Sequence, residues 1–256
     1  MGKYRKDHLG YKAPAHMLDA LLRLLRRPEA SLLLTGFAVA GAIWAFLSIA
    51  GEVREGDTGA IDRMVLLAFR VHGDPAQPIG PRWLQEMERD FTALGGFTVL
   101  TLISAFAITM LLVHRRRLQA LIFFVAVIGA QALAELVKHF VARPRPDLIT
   151  QLDLTYSSSF PSGHAMMAPV VYLTLAALLS AGEAGRTSRL LLVGGAVALV
   201  LAIGVSRVYL GVHWPSDVLG GWALGCGVAF IASWALHRTA PKRQREAVGL
   251  DTSETG

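Results

Sequence analysis

The sequence predicts an all-α, polytopic membrane protein of six transmembrane helices, with short interfacial helices between the first and the second. Three observations carry this. The 256 residues are 53% hydrophobic and only 17% charged, against about 25% charged in an ordinary soluble domain. Six apolar runs, 31–51, 97–113, 118–140, 164–181, 189–210 and 217–236, meet or approach the roughly 20 residues that a spanning helix needs. Lys and Arg gather in alternate connectors instead of spreading evenly along the chain.

The elements follow in order. The first 30 residues hold seven Lys and Arg and lack the short apolar core and cleavage site of a signal peptide. They form a basic cytoplasmic segment ahead of the first span. Segment 52–96 is too long for a passive loop. Within it Ile61, Val65, Leu66 and Phe69, then Trp83, Leu84 and Met87, recur at helical spacing. One or two amphipathic helices at the outer interface result, with Trp83 at headgroup depth. They either pack on the bundle or wall the entrance for a lipid headgroup. Run 118–140 carries Gln131, Glu135, Lys138 and His139 near its end, so its last turns face protein or water. The fifth run ends in Ser206-Arg207, and the sixth starts after Trp214-Pro215-Ser216, where proline suits a first helical turn. One membrane domain, 31–236, is followed by a polar cytoplasmic tail, 237–256.

Orientation comes from the connectors. The amino-terminal stretch, His114-Arg115-Arg116-Arg117, Arg186–Arg189, and the tail with Arg238, Lys242, Arg243 and Arg245 share one side. The positive-inside rule makes that side cytoplasmic. Segments 52–96, 141–163 and 211–216 then lie outside, facing the periplasm or exterior. Arg54, Arg63, Arg70, Arg82 and Arg89 count for less there, because the loop is long and acidic residues accompany them. The formal charge of +6 is a membrane signature of this kind and gives no reason to expect nucleic acid. Cys226 is alone, so no intrachain disulfide forms.

The outer segments hold the residues with chemistry. His213 and Asp217 are four apart, close enough for a carboxylate to fix one imidazole nitrogen and leave the other as a nucleophile. Alone, the pair equally fits a helix cap beside an interfacial histidine. His164 follows Pro161-Ser162-Gly163 at a helix start, where free N–H groups attract anions. There a protonated His164 suits general-acid work, while Ser162 equally fits an ordinary N-cap. Lys138, Arg145 and Arg207 lie on the side where the positive-inside rule expects few cations, and an anionic phosphate accounts for them. Arg143 is a weaker candidate that flanks the others. No set of three His, Asp, Glu or Cys metal ligands is apparent. Several cationic and donor groups are instead placed to neutralise developing charge without one, so no cofactor is expected.

The full set resembles the type-2 phosphatidic acid phosphatase family of integral membrane lipid phosphatases. Its three-part signature is matched by Lys138 to Arg145-Pro146, by Pro161-Ser162-Gly163-His164, and by Ser206-Arg207 through His213 to Asp217. The likeness covers roughly 31–236. It implies that His213 attacks phosphorus to form a phosphohistidine, that Asp217 orients it, and that His164 protonates the leaving oxygen and then activates water. It implies that Lys138, Arg145, Ser162, Gly163 and Arg207 hold the phosphoryl oxygens, without metal. The expected partner is a lipid phosphate in the bilayer of a bacterial inner membrane. Candidates are undecaprenyl diphosphate, phosphatidylglycerophosphate and phosphatidic acid, with the outward site favouring the first. The same residues would serve a lipid phosphotransferase, and less naturally a phospholipid transporter that keeps only the anion site. Oligomeric state is not legible.

Overall fold

A computed structural model describes residues 28–153, 157–181 and 185–239. The expectations for the basic segment up to residue 27 and for the tail from residue 240 lie outside the described residues. Helix α1 is Pro28–Glu55, α2 Gly59–Ala68, α3 Arg82–Leu94 and α4 Phe97–Val113. Helix α5 is Arg117–Val141, α6 Gly163–Ser180, α7 Arg186–Tyr209 and α8 Pro215–Arg238.

Five of these, α1, α5, α6, α7 and α8, are long and apolar enough to cross a membrane alone. Helix α4, at 17 residues, falls just short. It becomes the sixth span when joined to α3 across a 45° bend, with Gly95 and Gly96 at the break. Large side chains point outward all round the bundle, among them Phe37, Trp44, Phe106 and Leu191, as a lipid-facing surface requires. Inside, Phe123 on α5 packs with Met166, Val170 and Val171 on α6. Helix α6 is interrupted by a π-helical turn at Pro169–Leu173. Proline has no N–H to donate, so the regular ladder fails there.

Helix α8 is central and packs most extensively on α1 and on the start of α6. Two glycines permit the second contact. A Cβ on Gly221 would lie 2.8 Å from the Ser162 carbonyl oxygen, and one on Gly225 would clash with that of Met166. Backbone therefore meets backbone where the Pro161–His164 turn begins.

Segment 52–96 departs from expectation in two ways. Between α2 and α3 it contains a small antiparallel hairpin, β1 Arg70–Val71 and β2 Asp74–Pro78, turned at Gly73 with φ of 84°. The hairpin is the one sheet among the described residues of an otherwise all-helical protein. The inward faces also carry polar residues, which join Leu66, Phe69 and Leu84 in the packing. In α2 the buried residues are Asp62 and Leu66, while Ile61 is 62% exposed. In α3 they are Glu88 and Thr92, while Trp83 is 62% exposed. Asp62, Glu88 and Thr92 thus turn inward beside Leu66, while Ile61 and Trp83 face outward.

Candidate active site

The connectors expected on the outer side converge at one end of the bundle. His213 lies in the short turn 210–214 between α7 and α8 and is buried. Asp217, in the first turn of α8, is also fully buried. Its Oδ2 accepts the Trp214 N–H at 2.8 Å and the Ser159 hydroxyl, and lies 3.4 Å from His213 Nδ1. Capping and imidazole orientation, alternatives in the sequence, are thus both served by one carboxylate. Arg145 Nη1 lies 3.2 Å from His213 Nε2. A guanidinium only donates, so Nε2 must accept and the proton belongs on Nδ1, facing Asp217. Burial is the main cause of a His213 pKa lowered to about 4, opposed by the Asp217 hydrogen bond and charge. His213 is therefore neutral at physiological pH, with an Nε2 lone pair among cations.

The cations come from three elements. Arg145 is fixed through Nε to the Ser157 carbonyl at 2.8 Å and through Nη1 to the Val212 carbonyl at 2.6 Å. Arg207, near the end of α7 and 1% exposed, donates to Thr92 Oγ1 at 2.6 Å and to Asp153 Oδ2 at 2.9 Å. Lys138, in the last turns of α5, pairs with Glu135 at 3.0 Å. Its Nζ lies 3.6 Å from where a Cβ on Gly163 would sit. Ser162 is a buried N-cap whose Oγ accepts the Ala165 N–H at 3.4 Å, and its own N–H bonds the Asp217 carbonyl at 3.0 Å. His164 opens α6, with Arg207, His213, Lys138 and Arg145 all within electrostatic reach. All eight residues singled out in the sequence thus meet at one end of the bundle. Among the described residues no three His, Cys, Asp or Glu group as metal ligands.

Arg143 does more than flank them. Its Nη1 donates to Asp217 Oδ1 and to Ser216 Oγ, each at 2.7 Å. Its Nη2 donates to Asp62 Oδ2 at 2.7 Å and Thr58 Oγ1 at 3.1 Å. Removing one partner of such a buried set leaves uncompensated charge, at a cost of about 3–5 kcal/mol. Sequence reasoning missed Asp62, Thr92, Asp153 and Ser159. For Asp62 a signal existed: it falls on the same helical stripe as Leu66 and Phe69, and a carboxylate on an apolar stripe needs a partner.

From His164, Gly163 and Lys138 a groove of about 420 Å³ runs between α4 and α5. Its walls include Phe97, Leu100, Ile108, Phe124, Val127 and Ile128, so it is apolar below and cationic at its mouth.

The family model described as the PAP2 superfamily matches residues 119–241. The phosphatidylglycerophosphatase B of Bacillus subtilis is 31% identical over 58% of this chain and 73% of its own length. The chain belongs to the PAP2 superfamily. The decaprenylphosphoryl-5-phosphoribose phosphatase of Mycobacterium tuberculosis is 39% identical over 53% of this chain and 69% of its own. The undecaprenyl-diphosphatase of Sulfolobus acidocaldarius is 31% identical, over 54% and 64%. Among solved structures, the transmembrane PAP2-type phosphatidylglycerolphosphate phosphatase of Bacillus subtilis aligns with a TM-score of 0.69. It is 27% identical and covers 77% of this chain and 94% of its own. The six-span architecture is thus that of a PAP2 membrane protein.

Proposed function

We propose that this protein hydrolyses a terminal phosphate from a membrane lipid phosphate or diphosphate through a phosphohistidine on His213. The observation that carries the proposal is the setting of His213. It is neutral, its Nδ1 faces Asp217 and its Nε2 faces Arg145 at 3.2 Å, and it lies within electrostatic reach of His164, which lines the apolar groove. In the first step Nε2 attacks phosphorus, the bond from phosphorus to the lipid oxygen breaks, and His164 gives that oxygen its proton. In the second, His164 takes a proton from water, the hydroxide attacks phosphorus, and the N–P bond breaks to release inorganic phosphate. Lys138, Arg145 and Arg207 hold the phosphoryl oxygens with the Ser162 and Gly163 turn, supplying the charge that a metal would otherwise bring. The groove takes the lipid chain, which enters sideways from the bilayer between α4 and α5.

The relatives act, by name, on phosphatidylglycerophosphate, on decaprenylphosphoryl-5-phosphoribose and on undecaprenyl diphosphate. A panel of these is the natural substrate set. By the positive-inside rule the site opens to the periplasm or exterior of a bacterial inner membrane, with both termini cytoplasmic.

The test is phosphate release by purified protein in detergent with EDTA, beside His213→Ala and His164→Ala. Release that survives chelation, equals the lipid consumed and is lost in both variants supports the proposal. Lipid consumed without matching phosphate indicates transfer to another acceptor. Undiminished release in His213→Ala would overturn it.

A further inference from the structure

We infer that Asp62, on the interfacial helix between the first two spans, is a positioning residue for His213, acting through Arg143. This rests on the phosphohistidine proposal above and extends it to a part of the chain outside the family signature.

The geometry is a two-carboxylate clamp. Arg143 spans Asp62 and Asp217 with one nitrogen on each, both at 2.7 Å. Asp62 also holds the start of α8: its Oδ1 accepts the Ser216 N–H at 2.9 Å and its Oδ2 the Ser216 hydroxyl at 2.6 Å. Ser216 Oγ in turn accepts from Arg143, closing a ring of Asp62, Arg143 and Ser216. Both carboxylates are buried, with side chains 2% and 0% exposed, so neither draws on bulk water. The Arg143 guanidinium also faces the Trp214 ring at 5.5 Å, which limits its swing.

Charge decides what this does. One guanidinium shared between two carboxylates leaves a net negative charge, and only Asp217 of the two reaches His213. Without Asp62, Arg143 would neutralise Asp217 alone, and its Oδ1 contact would compete with the Oδ2 contact to Nδ1. The proton on Nδ1 would then be held less firmly, and the Nε2–H tautomer, which cannot attack phosphorus, would gain population. The other groups facing His213 do not compensate. Arg145 and Arg207 are cations, His164 lies across the site, and Ser159 bonds the same Asp217 oxygen.

The experiment compares Asp62→Asn, Arg143→Lys and His213→Ala in the full-length protein. It reads kcat and KM for phosphate release, thermal unfolding, and the His213 tautomer from ¹⁵N-histidine spectra, assigned by the signal missing in His213→Ala. In Asp62→Asn we expect kcat to fall roughly 10–100-fold, the scale seen for outer partners of an oriented histidine. KM should stay within about twofold, and an Nε2–H signal should appear that wild type lacks. Arg143→Lys keeps the charge but loses the fork, and should lower kcat in the same sense. If Asp62→Asn does not fold, an undiminished kcat in Arg143→Lys overturns the inference by itself. Wild-type kcat with an unchanged tautomer in a folded Asp62→Asn also overturns it. These outcomes leave the proposed function standing provided that His213→Ala is inactive; activity in that variant would fail the function itself.

Discussion

At the scale of residues, burial and pairing give His213 the neutral state that its proposed nucleophilic role requires. An exposed histidine is partly protonated near neutrality, whereas the lowered value of about 4 keeps this one neutral. Between its ordinary 6.5 and about 4 the folded protein binds fewer protons than the unfolded chain. His213 therefore takes stability away as pH falls through that window and has no such effect above it. We expect the ¹⁵N signal of His213 to titrate with a midpoint near 4, and thermal stability to decline from pH 6.5 toward 4 with less decline in His213→Ala. A midpoint near 6.5 would mean that the imidazole is solvated. The motif residues themselves were legible in the sequence because a costly ionisable group at a membrane edge asks for a reason. Their supporting partners were less so. Asp153 and Ser159 lie in a loop without periodicity, and nothing local distinguishes them from other loop residues.

At the scale of elements, the spans were readable because a lipid-facing helix must be apolar along its whole length. The faces of α2 and α3 were only partly readable, because amphipathicity gives a stripe without saying what it meets. Apolar spacing picked out Leu66, Phe69 and Leu84, which pack inward, but not Glu88 and Thr92, which share that side with Asp62. The hairpin β1–β2 was hidden by its brevity. The approach of α8 to α6 gives a direct test. In Gly225→Ala the added methyl would meet the Met166 carbonyl, pushing α6 and with it His164. Overpacking of this kind costs about 1–3 kcal/mol, so the unfolding temperature in detergent and kcat should fall together. The groove between α4 and α5 gives another. Ala105→Trp would fill the groove wall and should lower kcat/KM for a long-chain lipid phosphate by about tenfold, comparable to losing 1.4 kcal/mol of binding. Release from a short, water-soluble phosphate ester should stay near wild type.

At the scale of the whole molecule, the connectors expected outside meet around one chemical centre, while the opposite end is tied by contacts such as Gln119 to the Leu236 carbonyl at 3.5 Å. The interfacial segment 52–96 belongs to that centre: Asp62 reaches it through Arg143 and Thr92 through Arg207. The orientation expected from charge alone is testable in intact cells. With Cys226 replaced, a cysteine at exposed His72 should react with an impermeant reagent, and one at His114, on the basic side, should react only after lysis. The reverse pattern would turn the site to the cytoplasm.

The most direct test of the central claim is to trap the covalent intermediate. Wild-type protein would be mixed with a labelled lipid phosphate, quenched in alkali within milliseconds, and mapped by peptide mass spectrometry. A base-stable, acid-labile phosphoryl group on His213, absent from His213→Ala, is the predicted result. Steady turnover with no label on His213, or label on another residue, would contradict it.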